Sequence, residues 1–297
     1  MNKNLEYLQP EIVSKLANME LRARLVVEGF LTGLHKSPYH GFSVEFAEYR
    51  QYLPGDEIRK MDWKAYARTN KLYIKKYEEE TNLISNLVID VSASMGYSSN
   101  KITKLNYASY LAASLSYLSI GQRDAVGLTL FDENIRTKIE PHSTKTHLKR
   151  ILLELQNIIP SKKTNTSNAL NILAEQSRRR GLIILFSDLF DEPSEVMRAL
   201  KHFRYDKHEV ILFHILDPLE KSFAHKDDAI FRDLETSEEI RTQPYQLQKS
   251  YQNAMKDFIE YYKKECLSQK IDYVLVDTNT PFDITLTRYL IKREQMK

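Results

Sequence analysis

The stretch Leu83 to Gly96, Leu-Ile-Ser-Asn-Leu-Val-Ile-Asp-Val-Ser-Ala-Ser-Met-Gly, constrains this chain more than any other. Leu87, Val88 and Ile89 are consecutive and bulky, two of them β-branched, so they need cover on both faces, as in a central strand of a parallel sheet. Asp90 ends the apolar run. A carboxylate at the carboxyl end of a buried strand stands at the crevice where open α/β sheets collect their ligands. Ser92 and Ser94 follow at alternating positions, and Gly96 permits a tight turn. Asp and Ser also turn chains and cap helices, so these residues alone leave a capped turn and an ion site both open. As oxygen ligands, one carboxylate and two hydroxyls suit a hard cation, magnesium or manganese.

Downstream, the hydrophobic period changes from element to element. Ile102 to Ile120 sets Ile102, Leu105, Ala108, Leu111, Ala112, Leu115 and Leu118 on one stripe, which predicts a core-facing helix. Ala125 to Phe131 reads as a strand. Ser143 or Thr144 caps a helix carrying Leu148, Ile151, Leu152 and Leu155, and Pro160 stops it. A further helix is expected from Ser167 to Arg180, with Gly181 ending it in the left-handed conformation and Arg178 to Arg180 complementing its dipole. Leu182 to Ser187 predicts a strand leading into Asp188, Pro193 opens a helix through Phe203, and Glu209 to Leu216 is the next strand. Ala229 to Thr242 reads as an excursion with two short extended pieces. A long helix through Leu247, Tyr251, Met255, Phe258 and Tyr262 then leads to a strand, Ile271 to Val276, and a helix near Phe282 to Ile291.

Strands separated by helices predict an α/β fold, a doubly wound and mainly parallel sheet with helices on both faces. Right-handed crossovers would bring the ends of the Asp90 and Asp188 strands to one edge. At 297 residues, 42% of them hydrophobic, the chain can hold one such domain and an appendage. We assign residues 83–297 to the α/β domain and 1–82 to an α+β arm. In the arm, Pro10 to Val27 predicts an amphipathic helix, Gly29, Gly33 and Gly41 loosen the chain, and Phe42 to Tyr52 and Leu72 to Tyr77 read as strands. Pro54 and Gly55 occupy the centre of a type II turn. Trp63, with a large apolar face and an N–H that needs a partner, is the expected anchor of the arm on the α/β domain.

Two further groups bear on Asp90. Thr164 and Thr166 precede the helical pattern of Ala169 and Leu170, and Asp188 follows a strand. Together with Asp90, Ser92 and Ser94 they resemble the metal-ion-dependent adhesion site (MIDAS) of the von Willebrand factor type A fold: Asp-x-Ser-x-Ser, a threonine, then an aspartate after a later strand. Of the two threonines, Thr164 has the better spacing to Ala-Leu. The resemblance implies a von Willebrand factor A-like (Rossmann-like) fold and a metal held by Asp90, Ser92, Ser94, Thr164 or Thr166, and Asp188.

The arm carries a second resemblance. Glu45-Phe46, Arg50, Tyr52, Pro54-Gly55-Asp56, Arg59, Asp62-Trp63-Lys64, Ala67-Arg68, Lys75 and Glu78 look like the bacterial family catalogued as domain of unknown function 58, which joins such an arm to a von Willebrand A-like domain. The match continues through Leu87 to Met95, Arg179-Arg180-Gly181, Ser187-Asp188 and Phe231 to Glu235. The resemblance implies a MoxR-type AAA+ ATPase as partner and an adaptor or chaperone-like role. It supplies no reaction.

Several classes of function recede. A net charge of +3 does not call for nucleic acid. The arm's Arg50, Arg59, Lys60, Lys64, Arg68, Lys71, Lys75 and Lys76 lie among Asp56, Glu57, Asp62 and Glu78 to Glu80, which points to ion pairing within the arm. The single cysteine, Cys266, lies on a helical pattern and reads as a buried thiol. No run of eighteen apolar residues occurs and the amino terminus lacks the apolar core of a signal peptide, so the expectation is a cytoplasmic protein without membrane insertion. Phosphate-binding glycine loops, a nucleophile elbow and His-Glu-x-x-His are absent from the sequence. His202, His208 and His214 straddle a helix end and a strand, which favours satisfied side chains over zinc ligands. The expectation is a non-enzymatic, metal-dependent protein-binding module that bridges a MoxR-type ATPase and a client offering an Asp or Glu. The enzymatic alternative is a magnesium-dependent phosphoester hydrolase using the Asp90 and Asp188 crevice.

Overall fold

The computed structural model describes residues 10–14, 18–34, 49–51, 66, 72–75, 83–161, 166–177, 179–224, 229–232, 239–242 and 244–295. Its elements in chain order are α1 (Pro10–Ser14), α2 (Met19–Leu34), β1 (Tyr49–Gln51), β2 (Tyr73–Lys75), β3 (Ile84–Asp90), α3 (Lys104–Gly121), β4 (Ala125–Phe131), β5 (Ile135–His142), α4 (Lys145–Gln156) and α5 (Thr166–Gln176). Then come β6 (Leu182–Ser187), α6 (Pro193–Tyr205), β7 (Glu209–Leu216), α7 (Pro218–Ser222), β8 (Ala229–Arg232), β9 (Glu239–Thr242), α8 (Pro244–Ser268), β10 (Asp272–Asp277) and α9 (Phe282–Gln295).

Six strands form one sheet in the order β10-β7-β6-β3-β4-β5, with β5 antiparallel to β4 and the other pairs parallel. The order runs outward from β3 in both directions, which makes β3 the point where the winding reverses. This is the doubly wound, von Willebrand factor A-like arrangement, and its switch point lies at the end of β3. The central strands alternate between two cores. Leu87, Ile89, Ile184, Phe186, Ile211 and Phe213 face one layer, while Val88, Ile183, Leu185, Val210 and Leu212 face the other. A strand buried on both faces reads as a continuous apolar run because its period of two is hidden when both sides are greasy.

Val13, Met19, Ala23, Val26 and Val27 of the arm belong to the first of these cores, and Arg22 lies over the Tyr110 ring at 4.7 Å from its centroid. The expected helix of Pro10 to Val27 is two pieces, α1 and α2, and α2 runs on to Leu34 through Gly29 and Gly33. Packing of its apolar stripe outweighs the propensity cost of two glycines, about 1 kcal/mol each. Arg50 lies on β1, which pairs antiparallel with β2. Pro54, Gly55, Asp56, Arg59, Asp62, Trp63 and Arg68, and with them the turn and the anchor expected there, lie outside the described residues.

Other differences are local. β5 was not expected from the pattern. It is an edge strand, half exposed, and it carries Pro141, tolerated where no ladder donor is needed. α5 ends at Gln176, so Arg179 and Arg180 do not sit in its last turn. Gly181 has another role: a Cβ there would stand 2.5 Å from the Ile84 carbonyl oxygen, where β6 enters beside β3. The short α7 also went unexpected, although Asp217 and Glu220 form a capping box around it.

A candidate metal-binding crevice at the end of β3

The parallel register pairs Ile89 with Phe186, so Asp90 and the Ser187-Asp188 pair emerge side by side at the carboxyl ends of β3 and β6. The adjacency that the crossover rule predicted is therefore present. Asp90 is fully buried. Its Oδ1 accepts the Ser92 amide at 2.9 Å and its Oδ2 accepts the Ser187 hydroxyl at 2.7 Å. Beyond it the chain enters a single tight turn at Ser94–Gly96, where the Ser92 and Ser94 hydroxyls lie 3.0 Å apart. The loop is held by Val91, whose amide donates to Phe131 and whose carbonyl accepts the Ser161 amide at 2.7 Å.

The Asp188 side is as tightly built. The Ser187 hydroxyl also accepts the Leu189 amide at 3.0 Å, and Leu189, fully buried, is held at φ 58°, a costly conformation for a leucine. Asp188 Oδ2 accepts from Lys104 Nζ at 2.7 Å. The same ammonium reaches Glu220 Oε1 at 2.5 Å and stands 4.9 Å from the centre of the Phe190 ring. Glu220 Oε2 in turn accepts the Asp217 amide, and Asp217 accepts the amides of Leu219 and Ser99. His214 Nε2 is 3.0 Å from the Asp188 carbonyl, so that nitrogen carries the proton and Nδ1 accepts from the Tyr273 hydroxyl at 2.7 Å.

The electrostatics follow from this burial. Desolvation, with the Asp188 charge adding to it, pushes the Asp90 carboxyl up to about 7 against the hydrogen bonds of Ser187 and Ser92. Burial lowers His214 to about 4, which keeps it neutral. For Lys104, burial favours the neutral amine, but Asp188 and Glu220 outweigh it and the ammonium persists. Burial raises Glu220, partly offset by Lys104.

Of the two threonines, Thr164 lies outside the described residues. Thr166 opens α5, is 1% exposed, and its hydroxyl has no hydrogen-bond partner. The first turn of α5 reaches Asp191 through the Ser167 amide and the Glu133 carbonyl through Asn168, each at 3.4 Å. Asp191 follows β6 and Glu133 follows β4, the two neighbours of β3, so the first turn of α5, which Thr166 opens, is tied to the loops on either side of the carboxyl end of β3. A buried, orphaned hydroxyl at that place fits an oxygen-seeking cation, since such groups are otherwise costly. Among the described residues no three His, Cys, Asp or Glu side chains gather as a metal centre.

Sequence reasoning missed Ser187, Lys104 and Glu220. A signal existed for two of them. Lys104 begins a helix, where the dipole disfavours a cation unless carboxylates meet it, and Asp217-x-x-Glu220 is a capping-box pattern. His208 Nε2 donates to the Ser177 carbonyl at 3.0 Å, and Cys266 is fully buried with its thiol pushed up to about 12 by that burial.

Uncharacterized protein Rv1480 of Mycobacterium tuberculosis and Uncharacterized protein Mb1516 of Mycobacterium bovis are each 27% identical to this chain over 230 residues, 76% of this chain and 72% of theirs. Among solved structures, the conserved hypothetical protein BatB from Bacteroides thetaiotaomicron is 18% identical, with 72% of this chain and 100% of that one covered and a TM-score of 0.49. The SpRpn10 VWA domain is 10% identical, with 69% and 93% covered and a TM-score of 0.39. The model of the family described as "Protein of unknown function DUF58" matches residues 48–260, well over half of the sequence, and the chain belongs to that family.

Proposed function

We propose that this chain is a non-enzymatic, metal-dependent protein-binding module and that it serves in the cytoplasm as an adaptor for a MoxR-type AAA+ ATPase. What supports the metal half is the buried Thr166 hydroxyl, without a hydrogen-bond partner among the described residues, in a helix turn tied to the loops after β4 and β6, together with the Ser92 and Ser94 hydroxyls 3.0 Å apart after β3. Ser92, Ser94 and Thr166 would hold magnesium or manganese, with Asp90 and Asp188 supplying negative charge from behind. Bound there, the ion supplies an open coordination position that attracts a carboxylate of a partner. Asp90 contributes by orientation: with both oxygens engaged by Ser92 and Ser187, it fixes the loop that presents the serines. The hydrolase alternative needs a free base, and the polar atoms of Asp90 and His214 are committed to the chain itself. The ATPase half rests on family resemblance, which is an association and not a geometric argument.

The test is a pull-down of a MoxR-type AAA+ ATPase and of client proteins by the wild-type chain and by Asp90→Ala, with and without chelator. Client binding lost on chelation and in the variant supports the reading. Client binding indifferent to both overturns the metal half, and no ATPase retained under any condition overturns the partnership.

A further inference from the structure

We infer that the Lys104 ammonium is the chain's own cation for the Asp188 side of the crevice, and that by holding Asp188 it sets how tightly a divalent ion is bound. The inference rests on the metal reading above and adds a residue that the adhesion-site pattern does not contain. Lys104 has no exposed surface, a condition in which lysine is rarely found unless paired. Its partners are Asp188 at 2.7 Å and Glu220 at 2.5 Å, with the Phe190 ring beneath it. Nothing local asks for a cation there. Lys104 is the first residue of α3, where the helix dipole repels positive charge, and Thr103 already caps the helix by accepting the Asn106 amide. A buried ion pair is a poor way to gain stability, since an apolar group of the same shape commonly does as well.

Its position acts on the cation site in two ways. A unit positive charge beside Asp188 repels a second cation, and the same contact occupies the Asp188 oxygen that faces Lys104. Glu220 moderates both effects. It shares the ammonium with Asp188, and it is fixed in place because its other oxygen accepts the Asp217 amide while Asp217 anchors Ser99, five residues before Lys104. Removing Lys104 should therefore release Asp188 to the ion. Removing the charge of Glu220 should leave Asp188 as the ammonium's sole carboxylate and tighten that grip. The two changes have opposite signs, which a purely structural role for the triad does not produce.

The experiment is calorimetric titration of the full chain with manganese and with magnesium, for wild type, Lys104→Met and Glu220→Gln, alongside melting curves with and without each ion. An opposite or like unit charge within a few ångströms shifts a charged equilibrium by about one to three powers of ten. Lys104→Met should accordingly bind at least about tenfold tighter and show a larger ion-induced rise in melting temperature, and Glu220→Gln should bind several-fold weaker. Binding by Lys104→Met where wild type shows none also supports the inference. Wild-type binding with Lys104→Met no tighter overturns it and leaves the metal site standing. Folded wild type and both folded variants that all fail to bind either ion sink the metal reading itself. Should Lys104→Met fail to fold, Lys104→Met combined with Glu220→Leu removes one charge of each sign, and because it still frees Asp188 it should bind tighter than wild type, by less than the single variant would; binding no tighter than wild type overturns the inference.

Discussion

Replacing Ser187 by alanine tests whether one hydroxyl between β3 and β6 holds the Asp90 carboxylate in place. That hydroxyl donates to Asp90 Oδ2 at 2.7 Å and accepts the Leu189 amide at 3.0 Å, and all three residues are shut off from water. Alanine leaves both groups without a partner. A hydrogen bond to a charged group contributes about 1.5–3 kcal/mol, and an orphaned buried donor costs about 1–3 kcal/mol, so a loss of about 3 kcal/mol is expected at pH 8. A pH series supplies the second check. Asp90 titrates at about 7 in the folded chain because burial and Asp188 raise it, and the Ser187 bond works in the opposite direction. The folded chain thus keeps a proton on Asp90 that the unfolded chain has released between about pH 4 and pH 7, and stability falls as pH rises through that window. Ser187→Ala raises Asp90 further. At pH 5 the carboxyl is protonated in both proteins, so the variant's deficit should be smaller there and should grow toward pH 8. Urea unfolding in chelator measures both quantities. A deficit under about 0.5 kcal/mol at pH 8, the range of an inconsequential substitution, or one equal at pH 5 and pH 8, would refute the reasoning.

Thr166→Val removes a buried hydroxyl that has no partner, so stability should hold or rise by up to about 1 kcal/mol while magnesium affinity falls. Melting curves and calorimetry together decide it, and a marked loss of stability would mean that the hydroxyl serves the fold. Gly181→Ala should cost about 1–3 kcal/mol, because its Cβ meets backbone 2.5 Å away where β6 enters the sheet. A melting temperature equal to that of wild type would count against that contact. His214, lowered to about 4 by burial, takes up a proton more readily when unfolded, so its own contribution, opposite in sign to that of Asp90 over nearly the same window, should fall as pH drops from about 6.5 to 4, by about 3 kcal/mol in all. His214→Gln should remove that contribution, so the variant should gain stability relative to wild type between pH 6.5 and pH 4 in pH-dependent unfolding, and a constant difference would show that His214 is not responsible.

Much of the architecture was readable from residue order because its causes are local. β4, β6 and β7 coincide with their expected ranges, since each is a mainly apolar run bounded by polar or turn residues. Thr144 caps α4 by accepting the His147 amide, as its place before an amphipathic stripe implied. What failed was of another kind. β5 is half exposed and its pairing with β4 depends on a partner that the residues of β5 do not announce. The end of α5 was misplaced because Gly181 answers to the approach of Ile84, a contact made across the sheet.

The same division runs through the crevice. Asp90, Ser92 and Ser94 could be chosen from the sequence because they share one strand end, and Asp188 because it ends a second apolar run. That the two ends are neighbours was decided by strand order, which places β6 directly beside β3. Only the tertiary structure brought in Ser187 as the bridge to Asp90, and Lys104 and Glu220 as a charged pair closing on Asp188. Lys104 and Asp188 are 84 positions apart and Lys104 and Glu220 are 116 apart. Side-chain periodicity registers which face a residue occupies. It carries no record of which distant charge will meet it once two layers of helices have closed on the sheet.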